Sequence, residues 1–167
     1  MENVLEKLEQ VLHSECTVHD EFLGSAQEFN KVIREQDLAA IDRQRAVHDA
    51  TICRIEKLES ERIACCRVLA GSLGINREPL KMSMLLEKIP TRWRERLHTL
   101  QETLKLKIAE LSQISTSNRI LLEEGLRVVQ TTYSYVQQAV GNRYAPYGKH
   151  GRTIISAAPQ NIINRTA

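Results

Sequence analysis

The chain is short of aromatic rings: Phe, Trp and Tyr together make up 4% of its 167 residues. A core built without rings must be made of leucine, isoleucine, valine and alanine, which can form a helical seam and so favour an elongated helical assembly over a rounded one. There is also no run of about 18 consecutive apolar residues, the length a membrane-spanning helix needs. The opening MENVLEKLEQ alternates charge with leucine and lacks a basic region followed by an apolar signal core. These two absences predict a cytoplasmic protein with no direct membrane insertion.

Acidic residues run out as well. The last is Glu124, and beyond it stand Arg127, Arg143, Lys149, Arg152 and Arg165. That segment carries +5 against +2 for the whole chain, so the part before it carries −3. The basic residues are too dispersed for a phosphate-binding stripe, and no nucleic-acid partner is expected.

The four cysteines, Cys16, Cys53, Cys65 and Cys66, fall inside helical patterns without a CxxC or a regular framework, which points to a reducing compartment. His13, Cys16 and His19 stand at three-residue steps, so a helix brings them near one another, and Cys53 or Cys65 from a facing helix would complete a tetrahedral set. No HExxH accompanies them, and cysteine serves well as a small apolar core residue, so no metal is expected. The stretch Gly71-Ser-Leu-Gly74 precedes no lysine and follows no strand; it reads as a helix stop and not as a phosphate loop. Glu56, Glu59 and Glu61, mixed with Lys57 and Arg62, read as a solvated helix face. Nothing argues for catalysis, and no cofactor is expected.

What the sequence does contain is helical periodicity. Val4, Leu8, Val11/Leu12, Val18, Phe22, Ala26, Phe29 and Ile33 mark one amphipathic helix, interrupted at Glu15. Asp37 is suited to N-cap a second, through Leu38, Ile41, His48, Ile52, Ile55, Cys66 and Leu69, stopping at Gly71 and Gly74. The short link between them imposes an antiparallel hairpin. Residues 77–90 offer a brief connector helix between Pro79 and Pro90.

The third pattern is the strongest. Leu97, Leu104, Leu111, Asn118, Gly125, Thr132 and Ala139 recur every seven residues, interleaved with Trp93, Leu100, Lys107, Ile114, Leu121, Val128 and Tyr135. No proline interrupts residues 91–145. Helical to residue 140, this segment would span roughly 75 Å against roughly 45 to 55 Å for each hairpin helix, at a rise of about 1.5 Å per residue. The long helix should therefore outrun its companions. The expected fold is all-α: an elongated antiparallel hairpin packed on one long C-terminal helix, with a short connector helix, in a domain of residues 1–145, followed by a flexible tail of residues 146–167.

From Leu121 onward the apolar set broadens to Leu121, Leu122, Leu126, Val128, Val129, Tyr133, Tyr135, Val136, Ala139 and Val140. A two-stranded seam needs only two such positions per heptad. Leaving several of these side chains wet forfeits several kcal/mol at about 25 cal/mol per Å², so the chain's own tail, a second copy or another polypeptide is expected to cover them. Gly125, costing about 1 kcal/mol relative to alanine in mid-helix, marks either a packing notch or a close contact with a partner. Asn118, on the seam, either fixes register or meets a partner's polar group.

NRILLEEGLRVVQ at residues 118–130, followed by YGKHGRT at residues 147–153, resembles the FlgN family of flagellar export chaperones. Asn118, Leu121 and Leu122 match an Asn-x-x-Leu-Leu segment of a long helix, and Tyr147, Gly148 and Gly151 match a Tyr-Gly-x-x-Gly tail. The resemblance implies a non-enzymatic cytoplasmic chaperone that holds hook-associated proteins of the hook-filament junction, prevents their premature assembly and delivers them to the export gate. Asn118, Leu121, Leu122, Gly125, Leu126, Val129, Tyr133 and Val136 would hold the client's terminal helical segment. Tyr147, Gly148 and Gly151 would dock on the gate's cytoplasmic domain; Tyr144 and Pro146, close by, add a second tyrosine that departs from the pattern. Pro146 would end the helix and the two glycines free the backbone around Tyr147, against the plainer reading of a frayed terminus. A different class of function stays open: a structural coiled-coil scaffold in which the long helix pairs with a second copy, a homodimer with no client.

Overall fold

The computed structural model describes residues 1–75 and 80–143, with side chains as far as residue 140. Four helices follow in order: α1 over Glu2–Glu35, α2 over Leu38–Ser72, α3 over Met82–Leu86 and α4 over Thr91–Arg143. The architecture is the one the periodicity implies, two long helices packing against a long C-terminal helix with a short helix between. The chain forms two compact units, Met1–Leu121 and Leu122–Ala167.

Local chemistry sets the helix ends. Gln36 takes the left-handed conformation (φ 58°) to close α1, and the Asp37 carboxylate then accepts from the Ala40 N–H at 3.0 Å, capping α2 as expected. At the far end of α2, Gly71 lies inside the last turn and Gly74 (φ 66°) is the stop. The Ile75 N–H reaches the Ala70 carbonyl at 2.9 Å and the Gly74 N–H reaches that of Gly71 at 3.3 Å, the paired bonds of a Schellman ending. Pro79 lies outside the described residues. Pro90 leads into α4, its carbonyl accepting from Trp93 and Arg94, while the Arg94 guanidinium donates back to the carbonyls of Leu86, Glu87 and Ile89 at 2.7, 3.0 and 3.3 Å. One side chain thus ties off α3 and fixes the start of α4.

The core of the first unit gathers where the ends of α1 and α2 meet α3 and the beginning of α4. Leu5, Leu8, Leu12 and Cys16 of α1 pack with Cys65, Cys66, Leu69 and Ala70 of α2, with Leu85, Leu86 and Ile89, and with Trp93, Leu97 and Leu104 of α4. Aliphatic side chains and a single Trp fill it, as the scarcity of rings requires. Arg92 and Arg96 lie against the Trp93 ring at 5.6 and 5.0 Å from its centroid.

Away from this leucine-rich base the seams turn polar, and here the structure departs from the hydrophobic pattern. Glu15 does not interrupt the α1 line Leu5–Leu8–Leu12–Glu15–His19; it occupies it, buried, with Oε1 accepting from Arg62 Nε at 3.1 Å and Oε2 without a partner among the described residues. In α2, Leu38 and Ile52 are exposed, and the inward line is Gln44, His48, Thr51, Ile55, Leu58, Arg62, Cys66 and Leu69. Gln44 accepts from Ser25 at 3.1 Å and the Thr51 hydroxyl donates to the Val47 carbonyl at 2.8 Å, whereas the His48 ring lies edge-on to Phe22 and Phe29, centroids 5.1 and 5.0 Å away, with its Nε2 buried and without a hydrogen-bond partner among the described residues. Between α1 and α4 run ion pairs of Glu9 with Arg96 and of Asp20 with Lys107.

This division between a dry base and polar seams is open to measurement. Leu97 is fully buried, so Leu97→Ala should cost about 2 to 5 kcal/mol in urea denaturation. Val136→Ala, in an exposed part of α4, should change stability by no more than about 0.5 kcal/mol. Glu15 provides a pH test. Burial raises its pKa above the ordinary 4.5, and the charge and hydrogen bond of Arg62 offset that only in part. A folded-state pKa above the unfolded one means that folding favours the proton: this contribution is full below the ordinary value and is lost as pH rises through the raised one. Denaturation across that window should show the parent losing stability relative to Glu15→Gln as pH increases; a constant difference would refute the assignment.

Candidate protein-binding face

Along α4 the heptad can be lettered with Leu97, Leu104, Leu111, Asn118, Gly125, Thr132 and Ala139 at a, and Trp93, Leu100, Lys107, Ile114, Leu121, Val128 and Tyr135 at d. Up to Leu121 this a/d line is buried or half-buried at every position. Asn118 is buried: it accepts from Asn30 Nδ2 at 2.7 Å and donates to the Ala26 carbonyl at 2.8 Å. Its amide is therefore engaged with α1, clasping α1 to α4 as a register-fixing polar residue would. Leu121 is half-buried at the end of the same line.

In the second unit every described residue of α4 from 122 to 140 is exposed. Of the expected client-binding positions, Leu122, Gly125, Leu126, Val129, Tyr133 and Val136 belong to this unit, whereas Asn118 and Leu121 belong to the first. Exposure of the large apolar side chains ranges from 39% at Leu122 to 69% at Tyr135. Val128, Tyr135 and Val140 stand among them although the expected client-binding positions do not include them; reading the heptad as two parallel lines would have captured all three. Tyr147, Gly148 and Gly151 lie outside the described residues.

The new apolar positions fall in a distinct register. Leu122, Leu126, Val129, Tyr133, Val136 and Val140 alternate four- and three-residue steps, one residue out of phase with the a/d line, at e and b of the heptad. In the first unit the same e and b positions hold Arg94, His98, Gln101, Lys105, Ser112, Ser115 and Arg119, with Ile108 the one apolar member. A helix with polar e and b positions thus acquires apolar ones at Leu122.

Charge disappears over the same stretch. Glu124 pairs with Arg127 at 2.6 Å, and no charged residue occurs between Arg127 and Arg143. The hydroxyls there are turned inward chemically: Thr131 donates to the Arg127 carbonyl, Thr132 to that of Val128 and Ser134 to that of Gln130, at 2.8, 2.9 and 2.9 Å, while Gln137 donates to the Tyr133 hydroxyl at 2.8 Å. Donors already satisfied within the helix need no water, so this surface is cheaper to cover than its composition suggests.

The residues weighed for other chemistry are dispersed. Cys16 and His19 are buried, His19 Nδ1 lying 2.8 Å from the Glu15 carbonyl, whereas His13 and Cys53 are exposed. Among the described residues no group of three or more His, Cys, Asp or Glu is disposed to hold a metal ion, and the four cysteines are free. Burial pushes the Cys16 and Cys66 thiols up, away from the reactive thiolate. No helix among the described residues is long and apolar enough to cross a membrane.

A family model described as FlgN protein matches residues 1–153. No curated protein and no solved structure matches the chain.

A Cβ added at Gly125 would meet nothing within 4 Å, so the position is not a notch filled by another part of the described chain. Gly125→Ala should then strengthen the helix by up to about 1 kcal/mol, slowing amide exchange around residue 125 roughly five-fold in the free protein. Unchanged or faster exchange would show that the glycine has a packing role in the free chain.

Proposed function

This chain belongs to the FlgN family, and from that footing we propose that it holds the terminal helical segments of hook-associated proteins on the uncovered face of α4 between residues 122 and 140. The family is one of non-enzymatic flagellar export chaperones for hook-associated proteins, and its members work in the cytoplasm. In this reading the chain keeps its client from assembling before export and delivers it to the cytoplasmic domain of the flagellar export gate. Tyr147, flanked by Gly148 and Gly151, serves as the gate-docking element, its ring offering an apolar body with a polar tip.

The observation that carries the reading is the change at Leu122, where a helix whose a/d line is covered becomes exposed, apolar at e and b, and free of charge from residue 128 to residue 142. Helices destined to polymerise carry apolar stripes that are hazardous when free, and helix-in-groove packing shields them. With no ion pairs available along most of the face, the attraction is apolar burial, which depends little on ionic strength. Asn118 and Leu121 belong to the first unit, where Asn118 holds α4 to α1.

A separation-of-function experiment tests both parts. Leu126→Glu would place an unpaired charge on the covered face and should weaken client affinity at least about ten-fold, a loss of about 1.4 kcal/mol, without lowering thermal stability. Tyr147→Ala should keep client binding and reduce gate binding and motility. Full client affinity in Leu126→Glu would refute the assigned face, and loss of client in Tyr147→Ala would refute the division of labour. A stable homodimer whose mass ignores added client would favour the scaffold reading instead.

A further inference from the structure

We infer that residues 38–64 of α2 form a strap that lifts from α1 as one unit while the leucine-rich base of the first unit stays closed. The release takes place within Met1–Leu121 and needs no client.

Burial along α2 is uneven. From residue 38 to residue 64 a single side chain, Thr51, is buried, and its hydroxyl bonds back to the Val47 carbonyl of its own helix. Ile55 and Leu58 are half-buried, while Val47, Ile52 and Ile63 face solvent. The end of the same helix is different: Cys65, Cys66, Leu69 and Ala70 are all buried in the core of the base. Since stabilisation follows the apolar area removed from water, α2 is fastened from residue 65 onward and held lightly before it.

The seam under the strap is also incompletely satisfied. Glu15 Oε2 and His48 Nε2 are the two buried side-chain polar atoms without a hydrogen-bond partner among the described residues, and both lie between α1 and this part of α2. An unpaired buried polar atom destabilises the closed state, and opening returns it to water. The ties that remain across the seam are weak ones. Ser25 donates to Gln44, a neutral pair, and the ion pair of Glu21 with Arg54 is half in water, where its attraction is screened.

α1 has no reason to leave with the strap. It is fastened to α4 at successive levels, by Glu9 with Arg96, by Asp20 with Lys107, and by the Asn118 amide on Asn30 and the Ala26 carbonyl. Lifting the strap therefore uncovers Phe22 and Phe29 of α1 while the α1–α4 pair persists. A helix stripped of its tertiary contacts is only marginally stable in water, so its amides exchange readily once it is released.

Native-state hydrogen exchange of the full chain, at urea concentrations below the unfolding transition, measures the release. Amides of residues 46–60 should share one opening, with protection at least about ten-fold lower than that of residues 66–70 and 97–104. His48→Leu sets an apolar side chain against Phe22 and Phe29 in place of the unpaired ring nitrogen. It should raise the protection of residues 46–60 about five-fold and leave residues 66–70 unchanged. In the parent protein alone, equal protection of the two groups, or protection that climbs residue by residue from the hairpin turn toward the base, would overturn the strap. A folded His48→Leu variant that gains nothing over residues 46–60, or gains equally over the base, would overturn it as well.

Discussion

The packing of the α4 line Trp93–Leu97–Leu104 against Leu5, Leu8 and Leu12 of α1 is the contact on which the remainder of the first unit depends. It is aliphatic and dry, and it is closed by α3 and the end of α2. Everything that gives direction to α4 is set there: the Arg94 guanidinium seated on three carbonyls around α3, Pro90 at the helix start, and the cysteines filling small gaps between leucines. Further along, the interhelical contacts are increasingly polar. Glu15 with Arg62, Asp20 with Lys107, Ser25 with Gln44 and Asn30 with Asn118 specify alignment, and each contributes far less than a buried leucine.

That gradient divides one helix into a locked half and an exposed half. A helix whose first half is locked by burial can expose an apolar second half without losing the fold, because the exposed half contributes little to the stability of the locked one. β-Branched and aromatic residues at 128, 129, 131, 132, 133, 135, 136 and 140 are indifferent helix formers, and Gly125 weakens the helix further. Helical order in this stretch is weak, so a partner that covers it must offset the entropy of ordering the chain with the burial it provides.

Much of this was legible in the sequence, and the exceptions have physical causes. Helix ends could be read because Asp37, Gly74 and Pro90 act through local backbone geometry. The α4 heptad could be read because leucine at strict seven-residue spacing places a continuous apolar line on one side of a helix, and such a line must be buried. The inward line of α2 could be read only in part: His48, Ile55, Cys66 and Leu69 were on it, but Gln44, Thr51 and Arg62 are inward-facing because of partners on another helix, or because a hydroxyl bonds back to its own helix, and a hydrophobic pattern cannot see such satisfaction. It preferred Leu38 and Ile52, which face solvent. Glu15 misleads in the same way, since a carboxylate read alone is an interruption and read beside Arg62 is a seam residue. Within the proposed binding face the apolar residues were visible from their spacing; hidden until the fold was seen was that Asn118 has its amide already engaged.

The back-bonded hydroxyls of Thr131, Thr132 and Ser134 bear on a hazard of the chaperone's own. Residues 128–134, VVQTTYS, combine high strand propensity with no charge and no proline, the composition of segments that stack into cross-β fibrils once unwound. Held as helix, the backbone is spent internally and the hydroxyls are paired; unwound, the same stretch becomes a sticky edge. Any partner that covered this stretch while it is helical would shield the chain itself from such stacking as well as bury its apolar side chains.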